Sequence, residues 1–208
     1  MKAQSIIGIV LATILTAGLA QAAPSKDAKA KTAEVTLKKV EGQIKWVGYG
    51  VGKSHAGTIN VKSGEVVLDK KDVPKQISFV LDMKALDTKD SDKLKGHLKS
   101  PDFFDVEKYP EATFKSTSVT VENSSKDGVS PYIVKGDLTI KDKTAPIEFA
   151  VQVVKKDGKF TATASTEIKD RTQFGIVYHS KQFETASKLG DKLIEDNIKI
   201  DIEVSAQK

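Results

Sequence analysis

The chain has 208 residues, 33 Lys plus Arg against 28 Asp plus Glu, a formal net charge of +5 and no cysteine. The missing cysteines exclude a disulfide framework and thiol chemistry. Every cation but Arg171 is a lysine interspersed with acids. Base-edge reading and bidentate phosphate capture favour arginine, which argues against nucleic acid as a partner.

Residues 1–22 read as a secretory signal. Lys2 is the positive head, Ile6 to Leu19 an apolar run too short for a membrane span, and Ala20-Gln21-Ala22 the small-x-small cleavage pattern. No cysteine follows the run, so no lipid anchor is expected, and the location implied is periplasmic or secreted. Residues 23–33 are small and charged without apolar periodicity, which predicts a disordered leader. Residues 34–208 then form one domain, large enough to bury a core without staples.

Within that domain apolar residues recur with period two, the signature of strands with one buried face. Ile77, Phe79, Leu81 and Met83 share a face, as do Tyr132, Val134, Leu138 and Ile140. Ile147 to Val153 and Phe160 to Ile168 follow the same pattern. It is cleanest at Ile198, Ile200, Ile202 and Val204, set against Lys199, Asp201 and Glu203. Turn signals stand at Glu41-Gly42, Lys62-Ser63-Gly64, Lys126-Asp127-Gly128, Lys141-Asp142-Lys143 and Lys156-Asp157-Gly158. Short connections between one-sided strands predict an antiparallel meander of about eight strands, packed as two sheets or closed into a barrel. Asp87 to Leu98 reads as a short helix with Leu94 and Leu98 on one side, and Ser180 to Leu193 as a loop or broken helix.

The run Leu94 to Phe114 places Phe103-Phe104 inside a charged connection. Two adjacent phenylalanines left in water would cost about 1.5–3 kcal/mol each, so the loop is expected to be a packed lid. Gly48 to Gly57 is glycine-rich and marks a sharp barrel bend or the rim of a ligand mouth, with Trp46, the only tryptophan, as an apolar wall. The inner faces mix Phe79, Phe114, Phe149 and Phe160 with Ser116, Gly136, Ala162 and Ala164. That mixture fits a solid core and a ligand-sized hollow equally well. His55, His97 and His179 show no short metal-ligand spacing, and no Gly-x-Ser-x-Gly elbow or phosphate-binding glycine loop is present. Arg171 suits a structural clamp or a headgroup contact.

These segments resemble the YceI-like family of secreted lipid- and polyisoprenoid-binding proteins. The resemblance is carried by Trp46-Val-Gly-Tyr-Gly-Val-Gly-Lys53-Ser-His55-Ala-Gly57-Thr-Ile59, by Phe79 to Leu86, and above all by His97 to Phe114. It continues at Gly136-Asp137-Leu138-Thr139-Ile140 and Pro146-Ile147. It implies an all-β, lipocalin-like up-and-down antiparallel barrel with one short helix, a packed aromatic loop and a long apolar cavity. It also implies an isoprenoid lipid ligand of quinone or polyprenyl type whose polar head lies near the mouth. The residues expected at the cavity or mouth are Trp46, His55, Phe79, His97, Phe103, Phe104, Phe114, Ala162, Ala164 and Arg171. No catalytic residue, metal or cofactor is expected. A structural or stress-response protein with a filled core stays open as an alternative, as does a lipid-modifying enzyme using a cavity histidine. A homodimer and a transient membrane contact also stay open.

Overall fold

The computed structural model of the chain describes residues 34–122 and 129–208. The signal segment, the leader and the turn at Lys126-Asp127-Gly128 lie outside the described residues.

Ten strands follow one another: β1 (Val35–Leu37), β2 (Val40–Gly50), β3 (Lys53–Leu68), β4 (Pro74–Asp82), β5 (Asp87–Thr88), β6 (Glu111–Val121), β7 (Val129–Ile140), β8 (Lys143–Lys156), β9 (Lys159–Ile168) and β10 (Ile194–Gln207). Eight of them close a barrel in the order β3-β2-β10-β9-β8-β7-β6-β4, with β4 pairing back onto β3. All these pairings are antiparallel, and closure leaves no long free edge. The 16-residue β3 serves two neighbours on each side: β2 pairs its first half and β1 Val66 to Leu68, while β4 pairs its second half and β5 Gly57 and Thr58.

Two of the anticipated turns are hairpins with left-handed backbone. Lys141 and Asp142 (φ 51° and 58°) join β7 to β8, and Asp157 and Gly158 (φ 50° and 75°) join β8 to β9. Such turns match the right-handed twist of the strands. Two others are not turns. Glu41-Gly42 lies inside β2, and Lys62-Ser63-Gly64 lies inside β3 beside a register shift between Val61 and Ser63. Here glycine lets a long strand bend and continue.

The helix α1 spans Asp92–Lys99, five residues later in its start than the sequence suggested. Ser91 caps it by accepting from the Leu94 N–H at 3.1 Å. Asp87 and Thr88 are drawn instead into β5, where the Thr88 hydroxyl donates to the Ala56 carbonyl at 2.7 Å. The segment 180–193 is a turn followed by α2 (Ala186–Leu189) and a 3-10 turn (Gly190–Lys192), as its broken pattern predicts.

The interior is solid at one end and hollow at the other. At the solid end Leu37, Val40, Leu68, Phe160 and Val204 pack beside a second cluster of Phe114, Tyr132, Val134 and Val151. The filled core of the interaction-protein alternative therefore describes half of this barrel.

Candidate functional site

The hollow half is a cavity of about 480 Å³. Its floor falls at the same level on strand after strand. Ile44, Phe79, Phe149, Thr166 and Ile202 face the cavity, whereas Ile77, Val151, Ala164 and Val204, next along the same inner faces, and Val40, beyond Gly42, belong to the packed end. Phe79, Phe114 and Phe149 make that floor, their ring centroids 6.2 and 5.6 Å apart in sequence. Glycines opposite the large rings make them fit. A Cβ on Gly136 would stand 2.5 Å from Phe114 Cζ, and one on Gly57 2.4 Å from Trp46 Cζ2. The walls are aliphatic: Ile59, Leu81, Met83, Ile140, Ile198 and Ile200.

The lid is knit by its own backbone. In the stretch 100–109, Phe103 N–H donates to Ser100 O, Phe104 N–H to Leu98 O, Asp105 N–H to Ser100 O and Val106 N–H to Lys99 O, all within 2.9–3.1 Å. Asp105 takes φ 48° to close the turn. Phe103 is buried and Phe104 half-buried, both lining the cavity with Leu94 and Leu98 of α1. His97 meets Phe103 and Tyr178 edge-on, with centroids 5.0 and 4.9 Å away, so aromatic contacts tie the lid to the segment after β9.

The β8–β9 seam is open over part of its length. Pairing runs from Lys156↔Lys159 to Val151↔Ala164 and stops, leaving Lys143–Ala150 of β8 without a partner on that side. The 3-10 turn Arg171–Phe174 lies against this stretch. Phe174, Leu138, Ile147 and Ile168 separate the main cavity from a cleft of mixed polar and apolar lining, about 450 Å³, on the outside.

Of the residues anticipated from sequence, Trp46, His55, Phe79, His97, Phe103, Phe104, Phe114 and Arg171 all line the cavity. Ala162 and Ala164 do not. They face inward but lie below the floor, packed with Phe114, Tyr132, Val134 and Val151. Their small size accommodates these neighbours and leaves no room for a ligand.

Arg171 is a clamp. Its side chain is buried, and its Nε donates to Glu195 O (3.1 Å), Nη1 to Ile176 O (2.7 Å), and Nη2 to Tyr178 O (2.9 Å) and Ile194 O (3.1 Å). Nη2 also stands 3.4 Å from Asp196 Oδ1, which accepts no aligned hydrogen bond. Burial pulls the guanidinium below its ordinary pKa, opposed by Asp196 and Asp170. With the fork directed at its own chain, Arg171 shapes the mouth and leaves little donor capacity for a headgroup.

The polar residues of the mouth are Tyr49, Lys53, His55, Tyr178, His179, Lys192 and Glu195. His55 Nδ1 lies 2.7 Å from Asp90 Oδ2, His97 Nε2 3.0 Å from Asp102 Oδ2, and His179 Nδ1 3.5 Å from Glu184 Oε1. Each ring has its own carboxylate, and no cluster of three metal-ligating side chains occurs among the described residues. His179, Tyr178, Lys53 and Lys192 were missed as site residues from sequence. Tyr178, His179 and Lys192 lie between β9 and β10 on segments that the Arg171 clamp gathers, and no local pattern announces that, whereas Lys53 opens β3 within the glycine-rich motif.

A family model described as the YceI-like domain matches residues 27–206. A Vibrio campbellii "UPF0312 protein" is 32% identical over 148 residues, 71% of each chain. Among solved structures, Burkholderia cenocepacia BcnA superposes with a TM-score of 0.63 at 20% identity, covering 80% of this chain and 96% of its own. A polyisoprenoid binding domain from Saccharophagus degradans superposes with a TM-score of 0.55 at 13% identity, covering 85% and 99%. At these identities the two structures speak to the fold, and the sequence matches to the family. This chain belongs to the YceI-like family.

Proposed function

We propose that the protein is an exported carrier or sequestering protein that holds an amphiphilic isoprenoid lipid and leaves it chemically unchanged. The observation that carries this reading is the hollow half-barrel: aliphatic walls, a three-phenylalanine floor and an aromatic lid, with the polar side chains other than Thr166 gathered at the mouth and lid. Such a volume rewards a slender apolar chain along its length, at roughly 25 cal/mol per Å² buried before binding costs. The polar mouth suits the head of a quinone or polyprenyl lipid. The polyisoprenoid-binding domain that shares this fold supports the same cargo class. The apolar run and small-x-small site within residues 1–22 support export to the periplasm or beyond.

An enzyme reading would need an acid or base free to act on the lipid. His55 and His97 are each held by an exposed carboxylate, and neither adjoins a nucleophile motif. Retained lipid binding and unaltered lipid in His55→Gln and His97→Gln proteins are the expected result.

Native mass spectrometry of protein purified from a bacterial envelope, followed by organic extraction, tests the proposal. One isoprenoid per chain is expected. An empty protein that also declines added quinone and polyprenol would overturn it.

A further inference from the structure

The mouth is rimmed by two projections that both rest on the start of β10. One is the β2–β3 turn at Val51-Gly52, where Gly50 pairs with Ile194. The other is the segment 179–193, where His179 O accepts from Ile194 N–H at 3.0 Å. Each carries an apolar side chain into water: Val51 is 53% exposed and Phe183 61%. Phe183 is the one exposed phenylalanine among the described residues.

Phe183 is held out by a built turn. Ser180 is fully buried, its carbonyl accepts from the Phe183 and Glu184 N–H groups at 3.1 and 3.0 Å, and its hydroxyl accepts from Gln182 N–H at 3.1 Å. Gln182 Nε2 donates to the buried Asp196 at 2.9 Å. A turn anchored this firmly could have tucked the ring inward, so its exposure asks for a partner outside the chain. Lysines surround the two tips. Lys181, Lys188 and Lys192 outnumber Glu184 and Asp191 on the same segment, and Lys53 follows Val51. Lys53 and Lys192 line the mouth itself, with no ion pair among the described residues.

We propose that this face docks on a bilayer carrying anionic headgroups. Val51 and Phe183 enter the boundary between headgroups and acyl chains, while Lys53, Lys181 and Lys192 lie against the phosphates. The inference rests on the lipid-holding reading above. Docked this way, the cavity mouth opens onto the acyl layer, and an apolar chain passes between the two without crossing water.

The test is co-flotation of the mature protein with vesicles of phosphatidylcholine and phosphatidylglycerol, for the wild type and the Val51→Asp/Phe183→Asp variant. Uptake of a short-tailed isoprenoid quinone is read in parallel from those vesicles and from detergent micelles. Co-flotation and the rate of uptake from vesicles should each fall about tenfold or more in the variant, with uptake from micelles unchanged. Added salt should weaken wild-type flotation, because part of the attraction is screened. A wild type that does not float, or a variant that floats and loads equally well, would overturn the proposal. So would a wild-type dimer that becomes monomeric in the variant with flotation unaltered, since the tips would then pair two copies. A wild type that floats through these residues but takes up quinone from neither source would sustain the docking face and reject the lipid-holding reading.

Discussion

Arg171 shows how one side chain organises a site it does not serve directly. Its guanidinium gathers four carbonyls from two segments, Ile176 and Tyr178 on one and Ile194 and Glu195 on the other, and in doing so sets the mouth. Lysine has no fork to span them. Arg171→Lys should therefore lower unfolding stability by about 3–5 kcal/mol, the usual cost of breaking a buried charged network. Urea denaturation checks this, and a loss below about 1 kcal/mol would mean the fork is not what holds the mouth. Gly57 is a second single-residue constraint. A methyl there would press on Trp46 Cζ2 and on Asp87 O at 2.0 Å. Gly57→Ala should cost about 1–3 kcal/mol by overpacking and shift the emission of the lone tryptophan. Neither requirement was legible in the sequence. Arg171 stood there with a clamp and a headgroup contact both open, and Gly57 as one of a cluster of glycines. Ala162 and Ala164 were misplaced for a related reason: small inward residues look alike whether they border a hollow or accommodate a neighbour's ring. Only the register tells which side of the floor they occupy.

At the scale of elements the strands were the most legible part, because a face buried on one side writes a period of two into the sequence. Phe103-Phe104 was equally legible, since two rings in a charged loop demand a surface to cover. Phe103→Ala should loosen the lid and its contacts to His97 and Tyr178. Bound isoprenoid should then dissociate about tenfold faster or more, a loss of at least 1.4 kcal/mol. Stopped-flow displacement measures this, and an unchanged rate would show that the lid does not retain the ligand. Glycine was misread at Gly42 and Gly64, where it bends a strand, because a turn and a bulge call for the same residue. The start of α1 was misplaced because the Thr88 side chain and backbone are claimed by β3, a tertiary pairing that outweighs local helix preference. The unpaired stretch of the β8–β9 seam keeps its alternation, and its one mark in the sequence is Pro146, which has no N–H to give a neighbouring strand.

The whole molecule couples a firmly packed end to a hollow one, and its surface ion pairs bind the chain across long sequence distances. Asp72 receives Lys155 and Lys208, and these amines hold its carboxyl below the usual range. Lys95 does the same for Asp87, and Lys188 for Glu184. A carboxylate depressed in the folded state contributes stability that is fully present above its unfolded pKa and lost as pH falls through the folded value. The thermal midpoint should accordingly drop as pH is lowered below about 4. Calorimetry from pH 7 to pH 3 checks the direction, and a midpoint unchanged to pH 3 would count against these pairs. These pairs lie at the surface, with Asp72 and Glu184 half-buried, so the drop should be reduced in part by high salt.

The central claim is that the hollow half of the barrel is the binding site, and Gly48 offers the most direct test of it. It lines the cavity, and a Cβ added there meets nothing within 4 Å. Gly48→Phe thus places a ring in the hollow while leaving the fold intact. The measurement is titration of wild type and variant with an isoprenoid quinone, read by quenching of Trp46, which stands in the same wall. Saturable quenching of the wild type and at least about a hundredfold weaker response in an equally stable Gly48→Phe protein is the predicted result. Equal affinity in the two proteins would contradict the account and place the ligand elsewhere on the molecule.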